Sequence, residues 1–274
     1  MQTSSSNILD KKYSKLILQI SPQEVSFCIV NTLNKNIETF GNYELKNAHS
    51  FAEAENKAIN FIKNTQILQN GFDDVLVLHN NHLNTFVPQV LFDENSLGSY
   101  LQYNVKVFEN DFITYDEISN YEMNNVYIPD VTVNNALIDL FGSFNYKHSS
   151  TILVKKILDL CKNIDEPQVY VHFQEHNFQL IAIKNQKLLL YNTFEYETKE
   201  DFIYYLLFTA EQLQLNPETF QLKLFGKVSK ESELYQIAYK YVRNVSLFFE
   251  HNDLEKNISQ KDYLQHFILI HACE

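Results

Sequence analysis

Hydrophobic residues fall along this chain in two rhythms: short runs with alternating or continuous character, and longer runs spaced by three and four residues. KLILQI at residues 15–20 predicts a strand, and EVSFCIVNT at 24–32 a second after a short turn. In the second run Ser26, Cys28 and Val30 alternate with Val25, Phe27 and Ile29. Both faces are thus largely apolar, as in a strand covered from two sides. The polar turn at 34–36 leads to a third strand, residues 37–45. Over residues 50–69 the rhythm becomes helical: Phe51, Ala54, Ala58, Phe61 and Ile62 share a face, Ser50 is the expected N-cap, and Gly71 lies just past the end. DDVLVLH at 73–79 predicts the next strand.

The same succession returns from residue 167. PQVYVHF, NFQLIAI and KLLLYNTF predict three strands, with Asn185 and Gln186 as the turn between the last two. A helix follows over 199–214 with Thr198 as its cap, and Pro217 marks the break after it. FQLKLFG at 220–226 is the next strand. A helix at 231–243 is expected to bury Leu234, Ile237, Ala238, Tyr241 and Val242, and VSLFFE at 245–250 is a last strand. The first helix starts about 35 residues after the first strand in one half and about 31 in the other. Strand, strand, strand, helix, strand therefore occurs twice at similar intervals, which marks an internal duplication. Between the copies lie a Pro88-containing segment, a short helix near 93–103, strands near 112–118 and 125–129, and helices near 132–142 and 149–162.

Composition narrows the function classes. With 22 basic against 34 acidic residues the net charge is −12, which opposes general binding to a phosphate backbone. Lys11, Lys12 and Lys15 form only a short basic cluster, read as a solvated approach to the first strand. No run approaches the ~18 apolar residues of a membrane-spanning helix, and the N-terminal residues carry no secretory pattern. Three cysteines, Cys28, Cys161 and Cys273, are far apart and none belongs to a CxxC pair. They read as small buried hydrophobes in a reducing compartment, Cys28 in mid-strand and Cys161 in mid-helix, and a cytoplasmic location is expected. Glycine is the most informative count: five occur, where average usage would give roughly 19. Loops that wrap phosphate need successive amides and positive φ, so a Walker loop, a GxGxxG turn and a kinase glycine loop are all absent.

The duplicated βββαβ layout resembles the actin-like (ribonuclease H-like) ATPase superfamily. TFVPQVLFDE at 85–94, NNVYIP at 124–129, HSSTIL at 148–153 and YNTFEYETKEDFIYYLLFTAEQL at 191–213 are similar to a bacterial family numbered 3822 among the domains of unknown function. The pattern runs from about residue 13 to residue 274. The resemblance implies an α/β fold of two similar subdomains with a cleft between them, residues 13–148 and 149–274, after a flexible tail of residues 1–12. It implies no activity. Superfamily ATPases hold phosphate and Mg²⁺ with an Asp-x-Gly hairpin in each half. Here the corresponding turns read Ser21–Pro22–Gln23–Glu24 and Gln174–Glu175–His176–Asn177, with Ser21 and Gln23 where Asp and Gly belong. The paired glycine that faces adenosine in the superfamily is reduced to Gly226. Ser21, Gln23, Gln174, His176 and Gly226 are thus the cleft candidates, with no catalytic residue, metal or cofactor expected.

Other constellations read as structural. His79 and His82 read as loop histidines after a strand; His172 and His176 straddle a turn across which their rings could approach; His148 orients a helix start. Asp73, Asp74 and Asp130 are turn or cap positions, and no GxSxG elbow presents a nucleophile. FIYYLLF at 202–208 is apolar almost all round and suits a helix covered on two sides, the other reading being an exposed binding stripe. Three functions stay open. The first is a non-enzymatic module, monomeric or weakly dimeric, that contacts another protein. The second is a divergent ATP-binding or phosphotransfer enzyme, and the third a small-molecule sensor using the cleft.

Overall fold

A computed structural model describes residues 12–48, 50–249 and 258–273; the expected tail at 1–12 lies outside this range but for Lys12. The chain opens with an antiparallel meander, β1 (Ser14–Ile20), β2 (Glu24–Asn31) and β3 (Ile37–Glu44). Helix α1 (Phe51–Asn64) returns the chain to β4 (Asp74–His79), which lies parallel to β1 with Ile17 opposite Leu76. Then come β5 (Asn84–Pro88), the short α2 (Leu97–Leu101), β6 (Thr114–Ile118) and β7 (Met123–Tyr127), which form a separate sheet in the order β5-β7-β6. Helix α3 (Val131–Phe141) and β8 (Asn145–His148) complete the first sheet, in the order β3-β2-β1-β4-β8.

Helix α4 (Ser149–Leu160) precedes the second copy: β9 (Gln168–Phe173), β10 (Asn177–Lys184), β11 (Lys187–Glu195), α5 (Lys199–Gln212), β12 (Gln221–Gly226), α6 (Glu233–Tyr241) and β13 (Asn244–Leu247). Its sheet has the order β11-β10-β9-β12-β13, the same as the first. The strand senses agree as well: two antiparallel pairings in the meander, then a parallel pairing of the fourth strand with the first. The duplicated βββαβ layout expected from the sequence is thus present. Helices α7 (Gln260–Gln265) and α8 (Phe267–His271) follow.

The two copies also share a packing scheme. In the first, Leu16, Leu18, Val25 and Phe27 of the sheet pack on Ala54, Ala58 and Ile62 of α1. In the second, Val169, Val171, Phe178 and Leu180 pack on Phe202, Leu206 and Ala210 of α5. Alanines on the helix faces allow close approach to the sheet. By packing, the described chain forms two compact units. One holds the chain up to His79, Asp130–Lys147 and Cys273; the other holds Asn80–Pro129 and His148–Ala272. The β5–β7 sheet thus belongs with the second copy, although it interrupts the first.

Several local expectations are corrected. The helix expected over 50–69 ends at Asn64 and gives way to a 3-10 turn, because the Thr65 hydroxyl and the Gln69 side-chain amide donate to the Phe61 and Ile62 carbonyls. Phe51 and Tyr241, assigned to buried faces, are exposed. The 202–208 helix is buried on one side only: Phe202, Ile203 and Leu206 face the core, while Tyr204 is 61% exposed and Phe208 47%. Those two outer rings stack on each other at i, i+4 with centroids 6.0 Å apart. Cys161 is not in mid-helix but caps the C-terminus of α4.

Candidate functional site

The two candidate turns close their hairpins in the same way, the first residue's amide donating to the fourth residue's carbonyl (Ser21 to Glu24, 2.9 Å; Gln174 to Asn177, 2.8 Å). In the first turn Pro22 has no amide hydrogen. The Ser21 hydroxyl oxygen accepts from the amides of both Gln23 (3.3 Å) and Glu24 (2.9 Å) and donates to the Glu24 carbonyl (3.0 Å). The donors that could converge on an anion are therefore bound by the turn's own side chain. The Gln23 carbonyl accepts from Leu45, which anchors the tip to the end of β3.

The second turn is likewise engaged within its own unit. The Gln174 side-chain amide donates to Asn80 Oδ1 (3.2 Å), and its carbonyl accepts from the Tyr196 hydroxyl (3.1 Å). Glu175 forms an ion pair with Lys227 at 2.9 Å. His176 is exposed, and its carbonyl accepts from the Tyr196 amide. Gly226 ends β12 with φ of 85°, and a Cβ there would run into the Phe173 carbonyl and lie 2.9 Å from the His172 ring. Its glycine is thus explained by the approach of β12 to β9.

The histidine pair across this turn does not form a site. His172 is buried, its ring against Phe225 at 4.9 Å, and it donates from Nδ1 to Gln179 Oε1, which can only accept (2.9 Å). Burial lowers its pKa to about 4, so it is neutral. His79 is the last residue of β4 and buried, not a loop histidine; burial lowers its pKa to about 4 as well. Its Nδ1 accepts from the Asp130 amide, which leaves Nε2–H to donate to Asn134 Oδ1. Asp130 caps α3 through the Val133 amide, as expected for a cap. Burial and the neighbouring Asp130 raise Glu55 on α1 to about 7. Among the described residues no cluster of His, Cys, Asp and Glu could hold a metal ion.

Sequence reasoning missed a buried polar constellation that surrounds the start of α4. The signal was HSST, read only as a helix start. Asp116 accepts from the His148 amide (2.8 Å), the Thr151 hydroxyl (2.6 Å) and the Tyr127 hydroxyl (3.2 Å). Asn84 and Asn125 donate to Ser150, and Ser149 donates to Asn80 Oδ1. Nearly every member is buried, so the network locks α4 to the β5–β7 sheet and to Gln174. Beside it lies an open groove of about 1020 Å³ in the same unit, lined by Phe86, Pro88 and Val90 on one side and Leu188, Leu190 and Tyr191 on the other. Among the described residues β5 and β11 are both edge strands, and Phe86 meets Tyr191 at 5.0 Å.

Comparison with known proteins agrees with this geometry. The profile of the family described as "Protein of unknown function (DUF3822)" matches residues 3–245. A crystal structure from Bacteroides thetaiotaomicron, a protein with actin-like ATPase fold and unknown function, superposes with a TM-score of 0.82 at 20% identity, over 98% of both chains. A PilM–PilN type IV pilus biogenesis complex superposes at 0.59 and 11% identity, covering 93% of this chain and 96% of that one. No protein among those of curated function matches. At these identities the structural likeness establishes the actin-like fold.

Proposed function

Because the chain belongs to the family of proteins of unknown function DUF3822, we propose that its actin-like fold serves protein contacts and not nucleotide turnover. The observation that carries this reading is the first turn: Ser21 holds the amides of Gln23 and Glu24, and Pro22 has none to offer. ATP with its metal carries its charge mainly on the phosphates, which need converging donors or a cation. The second turn adds support, since Gln174 is tied to Asn80, and Lys227, the nearby cation, pairs with Glu175. A fold of this kind also occurs in a PilM–PilN complex, so engagement of a partner protein is within its repertoire. The groove beside β5 and β11 offers apolar side chains next to two strand edges, the chemistry that recruits an extended peptide. The protein works in the bacterial cytoplasm in this reading; no described helix is long and apolar enough to cross a membrane.

The test is calorimetric titration with Mg·ATP. Binding no tighter than about 1 mM, roughly −4 kcal/mol, is expected, with no hydrolysis. Micromolar binding would replace this reading by a divergent ATP-binding or phosphotransfer enzyme. Thermal melting with and without Mg·ATP separates the two cases independently, since ligand at 100 times its Kd adds about 2.7 kcal/mol.

A further inference from the structure

Cys28 and Cys273 are 245 positions apart in sequence, yet their sulfurs lie 3.7 Å from each other, in contact as thiols. We propose that they form a redox-active dithiol that closes to an intramolecular disulfide. The two partners are mechanically unequal. Cys28 sits in the middle of β2, fully buried, with its backbone fixed between Ile17 of β1 and Phe40 of β3. Cys273 lies in the turn after α8, outside any helix or strand, and is partly exposed. Bringing the sulfurs to the ~2.05 Å of a disulfide therefore falls to Cys273, whose backbone is not held by a ladder.

The same inequality sets the order of events. Cys28 keeps its proton, because its thiol hydrogen-bonds to the Cys273 sulfur and is buried. Cys273 is the partly exposed member of the pair and Cys28 the buried one, so Cys273 reacts first. With a hydroperoxide as oxidant, the Cys273 thiolate attacks the peroxide oxygen and becomes a sulfenic acid, and the peroxide leaves as water or alcohol. The Cys28 sulfur, giving up its proton, then displaces hydroxide from that sulfenic acid. The sulfur–sulfur bond forms and a second water departs. Two thiols and one hydroperoxide thus yield one disulfide, one water and one alcohol, or two waters when the oxidant is hydrogen peroxide. Cys161 provides an internal control, because it is fully buried and its sulfur contacts the Tyr170 hydroxyl (3.5 Å).

The experiment is stoichiometric hydrogen peroxide added to the full chain, followed by intact mass and peptide mapping. The expected product is lighter by two hydrogens, with the peptides of Cys28 and Cys273 joined and Cys161 unmodified. Dithiothreitol should reverse it, and the oxidised protein should melt several degrees higher, as a closure over so long a loop restricts the unfolded chain. Cys161→Ser should still close, and Cys273→Ser should not. The proposal is overturned if wild type accumulates sulfinic acid at Cys273 while Cys28 stays a thiol. Linkage through Cys161, or between two molecules, in place of the internal bond overturns it as well. The wild-type product is read directly, so the outcome does not depend on whether any variant folds.

Discussion

Ser21 shows how one hydroxyl can take up a turn's own amides and strengthen the turn. Its bonds to the amides of Gln23 and Glu24 are of the kind that side-chain caps make, so Ser21→Ala should cost about 1 kcal/mol in urea unfolding. Replacing Ser21 by Asp and Gln23 by Gly should not create an ATPase, since Pro22 and the engaged second turn remain; turnover by the double variant would contradict this. Gly226→Ala is the harsher change. Positive φ and a collision with the Phe173 carbonyl should remove roughly 2–4 kcal/mol or prevent folding. Two titrations act in opposite directions. His79 and His172 bind a proton in the unfolded chain near pH 6.5 but in the fold only near 4. Their stability is complete above pH 6.5 and falls as pH drops toward 4, by up to about 3 kcal/mol each. Glu55 holds its proton to about pH 7 in the fold, against an ordinary 4.5, so its contribution is fully present below 4.5 and is lost as pH rises through 7. Glu55→Gln should therefore raise the melting temperature at pH 8 and leave it unchanged at pH 4. His172 was legible as part of a strand, but His79 was read as a loop histidine and Glu55 drew no reading, because their roles depend on partners such as Asn134, Gln179 and Asp130 that only pairing brings close.

Helices and strands were legible where their own rhythm was strong. Ser50 and Thr198 were identified as caps from local chemistry alone, and both accept from the amide three residues on. At Thr198 the Asp201 carboxylate completes a capping box, so Thr198→Ala should destabilise by about 1 kcal/mol, read as a lower urea midpoint. Strand β5 was missed because it is short and ends in Pro88, which an edge strand tolerates as it lacks a ladder donor there. Strand β8, NYKH, has no apolar alternation and is recruited by its neighbour β4. Helix α8 reads as an apolar run without period, and only its burial against α4 gives it a place. On α5, periodicity could not tell a helix covered all round from one with Tyr204 and Phe208 in solvent.

At the scale of the molecule, duplication was the clearest signal in the sequence, since the order of elements survives where residue identity between the copies does not. Solution behaviour follows from charge and from the turns. At −12 the chain repels copies of itself at low salt, and under the function proposed above it has no nucleotide switch for polymerisation. Sedimentation should show a monomer or weak dimer with and without Mg·ATP; nucleotide-dependent polymer would contradict this. The interruption of the first copy by the β5–β7 sheet has a consequence for biosynthesis. A ribosome delivers residues 80–129 before His148, Ser150, Thr151 and Gln174, the groups that satisfy Asn80, Asn84, Asn125 and Asp116. Until those emerge, this segment has only part of its polar bonding, such as Asn84 to Asn125 and Tyr127 to Asp116, while the first copy lacks only α3 and β8. Nascent chains stalled just after β8 should therefore resist protease in β1–β4 and be cut between residues 80 and 129, and the cuts should disappear once β9 and β10 have been made.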